Sequence, residues 1–116
     1  MELSAQVEDF LDNFKVKMNI WGLLISSNRQ KNVQTMADLE IRHVDLIAEL
    51  ADLSVINFSE GPLTDVVNGG PEMWVFGKQI KGHEIYIKLT SGQPGKSPVC
   101  ISFHFAEHPL LYPFRQ

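Results

Sequence analysis

Residues 73–106 read MWVFGKQIKGHEIYIKLTSGQPGKSPVCISFHFA, and this stretch decides the fold. Three runs rich in β-branched and aromatic residues, Met73 to Ile80, Glu84 to Thr90 and Pro98 to Ala106, are separated by Lys81-Gly82-His83 and by the turn-forming Ser91 to Ser97. Short connections of this kind predict an antiparallel meander. Side chains alternate across a strand, so Ile85, Ile87 and Leu89 share one face, matched in the next strand by Val99, Ile101, Phe103 and Phe105. That apolar set is expected to face the rest of the core. Glu84, Tyr86, Lys88 and Thr90, with Cys100, Ser102 and His104, are then expected on the opposite face.

Working back toward the N-terminus, Ser4 can cap a helix in which Val7, Phe10, Leu11 and Phe14 fall on one side. From Lys15 the period changes: Val16, Met18 and Ile20 alternate with Lys17 and Asn19, predicting a first strand that continues through Trp21 to Ile25. Asn32 to Leu39 reads as a short helical turn, and His43 to Leu53 as a second helix with an apolar stripe through Val44, Ile47, Leu50 and Ala51. Ser54 to Pro71, with Gly61, Pro62, Asn68, Gly69 and Gly70, reads as a long loop. Pro109 and Pro113 predict an extended tail over residues 107–116. Together these readings predict an α+β fold with N-terminal helices on one face of a mostly antiparallel sheet of about four strands. One domain is expected over residues 1–116: a helix–strand–helix part (1–60), the loop and meander (61–106), and the tail.

Composition limits what such a domain can do. The chain has 116 residues, fourteen acidic and ten Lys or Arg, for a formal charge of −4. No polybasic coat for DNA or membranes is therefore expected, and any nucleic-acid contact is local. Residues 1–60 hold ten acids and five bases, whereas 61–116 hold four acids and five bases and three of the four histidines. A site for an anion is expected in the second half. A single cysteine, Cys100, excludes an internal disulfide. No apolar run is long enough to span a bilayer, and Met1 to Gln6 lacks the start of a signal peptide, so a cytoplasmic protein is expected.

The face carrying Tyr86, Lys88 and His104 has chemistry to offer. Lysine supplies a fixed positive charge and histidine titrates near neutrality, which suits metal-free RNA cleavage: a 2′-hydroxyl loses its proton, the phosphorane is stabilised, and the 5′-oxygen is reprotonated. The same spacing also suits a solvated sheet face with no reaction. His104-Phe105-Ala106-Glu107-His108 spells H-x-x-E-H, a zinc-hydrolase signature when helical. Alternation through Ser102 to Phe105 puts it on a strand instead, and a strand would separate the two histidines by ~13 Å. No metal or other cofactor is expected. The glycines at 69–70 and 92–95 match no phosphate-binding fingerprint and read as turns. Trp74 reads as core, with base stacking as the lesser alternative.

Several segments, Leu39 and Val44 to Leu53, Asn57-Phe58-Ser59-Glu60-Gly61, Met73 to Phe76, Glu84 to Leu89 and Cys100 to His104, together resemble the MqsR-like toxins of bacterial type II toxin–antitoxin modules. The most specific are Ile85-Tyr86-Ile87-Lys88, similar to the family's V-Y-L-K, and Ile101-Ser102-Phe103, similar to its V-S-F. The resemblance covers roughly Asp38 to His104. It implies a RelE-like fold, metal-independent endoribonuclease activity on mRNA, and a cognate antitoxin protein as partner, with no direct DNA contact. Tyr86 matches a catalytic tyrosine of the family, Lys88 shares its strand motif, and His104 stands where the family has a lysine. Those three are the expected catalytic residues, with Lys78, Lys81, Trp74 and Ser102 expected to contact substrate. Glu60 and Val75 stand where the family has a lysine and a glutamine. These two departures, with the acidic charge, motivate the alternative of a non-catalytic protein-binding module that has lost the nuclease residues.

Overall fold

The structure, a computed structural model, describes residues 2–26 and 30–115. Its elements in chain order are α1 (Leu3–Trp21), β1 (Leu24–Ile25), α2 (Gln30–Asp38), α3 (His43–Ala51), a 3-10 turn (Val55–Asn57), β2 (Phe58–Leu63), β3 (Met73–Ile80), β4 (His83–Thr90) and β5 (Val99–Phe105). The fold is α+β. Its sheet has five strands in the order β1-β5-β4-β3-β2 and is mixed, because β1 runs parallel to β5 while every other pair is antiparallel. The meander of β3, β4 and β5 lies where its alternation places it.

Residues 16–21, expected to start a strand, continue α1 instead. Val7, Leu11, Phe14 and Met18 are buried at helical spacing, whereas Val16 and Ile20, which created the apparent alternation, are 57% and 63% exposed. Extending an existing helix gains one hydrogen bond per residue without a new nucleus, so a segment compatible with both periods joins the helix. Lys15 Nζ donates to Leu53 O at 2.6 Å and Lys17 Nζ to Gln93 O at 3.0 Å, which fixes this extension against the body. Gly22 ends it with φ +81°, leaving Leu24–Ile25 as the whole of β1. The expected Ser4 cap is also corrected: Glu2 holds the N-cap position without a side-chain hydrogen bond.

Residues 54–71 are not wholly a loop, because β2 pairs with β3. Two register shifts, around Glu60 and before Leu63, break its alternation, and Pro62 is tolerated because β2 is an edge strand. Asn32 to Leu39 forms most of a full helix, α2. Helix α3 starts where the Asp45 carboxylate accepts the Arg42 backbone N–H at 2.7 Å.

The core lies between the helices and one face of the sheet. Val7, Phe14, Leu46 and Leu50 meet Phe76, Ile85, Ile87, Leu89 and Phe103, all essentially inaccessible. One irregularity in β5 sets the register. Lys88 pairs with Ser102 but Leu89 pairs with Cys100, so Ile101 is an extra residue. The expected faces hold from Ser102 to Phe105 and invert below the bulge: Cys100 turns into the core, while Val99 and Ile101 turn to the opposite face. Burial pushes the Cys100 thiol up to about 12, so it is not a nucleophile at neutral pH.

Where β1 stops, β5 loses its outer partner, and the buried side chain of Asn32 on α2 replaces it. Its Nδ2 donates to Ile101 O at 2.9 Å and Ser26 O at 3.1 Å, and its Oδ1 accepts from Phe103 N at 2.9 Å. A polar residue at the centre of a helix face thus satisfies the backbone that the short strand leaves over. No helix among the described residues is long and apolar enough to cross a membrane.

Candidate functional site

The face of the sheet turned away from α1 and α3 carries the expected polar residues in cross-strand rows. Tyr86 on β4 pairs with His104 on β5, and Lys88 pairs with Ser102. The Tyr86 and His104 rings stack at 5.0 Å between centroids and 11° between planes. His104 Nδ1 lies 3.0 Å from Phe105 O. A carbonyl oxygen only accepts, so the neutral imidazole carries its proton on Nδ1 and keeps the Nε2 lone pair. Stacking and the Nδ1 contact together orient the ring, with Nε2 as its acceptor nitrogen.

These four side chains line a hollow of about 340 Å³, whose far wall is the tail: Glu107, His108, Pro109 and Leu110. The chain bends at Glu107 and His108 and returns over the sheet. Glu84 holds it there, one carboxylate oxygen accepting the Leu110 N–H at 3.2 Å and the other the Tyr112 hydroxyl at 2.7 Å. Gly77 makes the crossing possible, since a Cβ at this position would overlap Leu110 Cδ1 and the Tyr112 hydroxyl. Further along, Arg115 lies 3.8 Å over the Tyr112 ring and Phe114 packs 5.6 Å from Phe58. The expected tail is therefore present, folded back as one side of the site.

Lys88 also borders a second hollow of about 430 Å³, where Met73, Val99 and Ile101 supply apolar surface and Asp65 and Asn68 polar groups. His104 and Glu107 border a third, of about 350 Å³, against Lys31 and Thr35 of α2. The first hollow shares Lys88 with the second, and His104 and Glu107 with the third. Lys31 pairs with Glu107 at its rim and is the main cause holding that carboxyl below its usual range. Among the described residues, no three His, Cys, Asp or Glu side chains cluster as a metal site.

Three residues expected to contact substrate lie elsewhere. Lys78 pairs in register with Ile85 and so faces the helices; its Nζ is 3.1 Å from Asp52 Oδ2 and 3.5 Å from Glu49 Oε2. Lys81 donates to Leu39 O at 2.6 Å. Trp74 is 6% exposed and stacks on Phe10 at 5.2 Å, which leaves no ring face for a base. Alternation already implied this for Lys78 and Trp74, which share the Phe76 face. Ser102 does lie with Tyr86, Lys88 and His104. Glu60 and Val75 pair with each other, and Val75 with Lys88, so both fall in the Lys88–Ser102 row. Sequence reading missed the wall from Glu107 to Leu110. Its signal was the polar Glu107-His108 pair before Pro109, a combination that ends a strand and turns the chain.

The tail clamp has a pH signature. Burial, reinforced by the Glu84 hydrogen bond, raises the Tyr112 phenol from 10.0 to about 12. A raised folded value means that the clamp's stabilisation is complete below pH 10 and is lost as pH rises toward 12. Tyr112→Phe is expected to be less stable than the parent at neutral pH and to converge with it above pH 12, measured by paired thermal melts. A constant gap at all pH values would contradict the clamp.

Comparison with protein-family models, with curated proteins and with solved structures found no match to this chain.

Proposed function

We propose that this protein is a metal-independent endoribonuclease acting on mRNA, the toxin half of a toxin–antitoxin module similar to the MqsR-like, RelE-fold toxins. The observation that supports the reading best is the stacked Tyr86–His104 pair beside Lys88 and Ser102 in one hollow. A base with a fixed ring, a permanent cation and a phenol side by side are the groups that 2′-hydroxyl attack requires. His104 Nε2 takes the 2′-hydroxyl proton as that oxygen attacks phosphorus. Lys88 offsets the charge that develops on the non-bridging oxygens, and the Tyr86 hydroxyl donates a hydrogen bond to one of them. The P–O5′ bond breaks as the departing 5′-oxygen takes up a proton, leaving a 2′,3′-cyclic phosphate and a 5′-hydroxyl.

The positions at which the resemblance expects a lysine and a glutamine, Glu60 and Val75, share the Lys88–Ser102 row. That register puts both departures beside Lys88. Glu60 in that row also favours the alternative reading, a binding module that has lost its chemistry. A cytoplasmic location and a cognate antitoxin follow from the toxin reading.

Expression from a tightly repressed promoter in a bacterial host tests the choice. The toxin reading predicts growth arrest with new 5′ ends in mRNA, and both are lost in Tyr86→Phe while soluble protein accumulates. Normal growth with intact RNA at the same protein level would leave the binding module.

A further inference from the structure

The reaction proposed above needs two proton transfers, one off the 2′-hydroxyl and one onto the departing 5′-oxygen. His104, accepting through Nε2, serves the first as the bond to phosphorus forms. Efficient cleavage then requires a second group that enters the reaction protonated. We infer that this group is His108, which acts as the general acid from the opposite wall of the same hollow, an assignment that rests on the nuclease reading.

The geometry that points to it is the turn after β5. On a continuing strand, residues 104 and 108 would stand ~13 Å apart. Instead Ala106 N–H closes the ladder on Glu84 O at 2.9 Å, the chain bends at Glu107 and His108, and residues His104 and His108 line one hollow with Tyr86 and Lys88. His108 is also held on both sides. Before it, Glu107 pairs with Lys31 of α2; after it, Leu110 N–H and the Tyr112 hydroxyl are bound by the two oxygens of Glu84. His108 lies between two anchored residues and its side chain is exposed, so it can exchange protons with solvent between turnovers.

The charged and titratable groups around the hollow are Lys88 and Tyr86 from β4, His104 from β5, and Glu107 on the tail itself. Glu107 is within electrostatic reach of both imidazoles and is paired with Lys31 of α2. In the balanced step, the 2′-oxygen–phosphorus bond forms as its proton passes to His104, and the phosphorus–5′-oxygen bond breaks as that oxygen takes the proton of His108. Water then returns the two histidines to their starting states.

A matched pair of oligoribonucleotides tests this. Both carry one site mapped with the wild-type protein, and one of them has sulfur in place of the bridging 5′-oxygen. A thiolate leaves without a proton, so the sulfur substrate bypasses a general acid but not a general base. His108→Gln is expected to cleave the oxygen substrate at least ~100-fold more slowly than wild type and the sulfur substrate nearly as fast. His104→Gln is expected to be slow on both. Equal losses for His108→Gln on the two substrates, or no loss on the oxygen substrate, would overturn the assignment. A wild-type protein that cleaves no RNA, so that no site can be mapped, would overturn the nuclease reading itself, and the assignment with it.

Discussion

Replacing His104 with alanine is expected to slow RNA cleavage by the purified protein by ~10²–10⁴-fold, the usual contribution of a positioned base. This ring is held in one orientation. Its plane is set by stacking on Tyr86 at 5.0 Å and its tautomer by Phe105 O at 3.0 Å from Nδ1, so the lone pair sits on Nε2 before any substrate arrives. Preorganisation of this kind is what an alanine cannot supply and a solvent water replaces poorly. The side chain is only partly buried, and its removal is expected to leave the thermal melt within a few degrees of the parent. A variant that cleaves within tenfold of wild type would mean that the proton is handled elsewhere, with Lys88 the next group to test.

Asn32→Leu is expected to cost about 3 kcal/mol of folding stability, far more than an ordinary helix substitution, as read by urea denaturation. Leucine is close in size and favours the helix, so only the hydrogen bonds are lost. Asn32 is inaccessible, and the substitution leaves Ile101 O and Phe103 N without the partners that complete β5. Each buried group stripped of its partner costs about 1–3 kcal/mol. Because Phe103 lies between Ser102 and His104, the same change is expected to lower activity in whatever fraction stays folded. A stability loss under 1 kcal/mol would show that β5 does not depend on α2 for its outer edge.

The parts of the fold that were legible in the sequence are those where one period excludes the other. In β4, Ile85, Ile87 and Leu89 alternate with Tyr86 and Lys88 without interruption, and the polar face follows directly; α3 forms where expected, but it buries Leu46 and Leu50, and Val44 of the expected stripe is 57% exposed. The failures have local physical causes. Residues 16–20 satisfy both a strand and a helix pattern, and packing of Met18 decides between them. In β2 the register shifts erase alternation. The extra residue at Ile101 moves Cys100 into the core with no change in composition that would announce it. As for the site, Tyr86, Ser102 and His104 were readable because Ser102 and His104 lie beyond that bulge. Lys78 and Lys81 looked like phosphate contacts by charge alone, but Lys78 is neutralised by Glu49 and Asp52 across the helix-facing side. The tail's wall depends on Glu84, more than twenty residues away in sequence from Leu110, a pairing that no local pattern contains.

The central claim is that the open sheet face performs 2′-hydroxyl attack with protein groups alone, and the most direct measurement is the chemistry of the ends it makes. Purified protein, treated with a chelator and incubated with a defined transcript, is predicted to yield fragments ending in 2′,3′-cyclic phosphate and beginning with 5′-hydroxyl, and His104→Ala is predicted to yield none at the same concentration. Fragments with 5′-phosphate ends, cleavage that the chelator abolishes, or an intact transcript at every protein concentration would contradict the account.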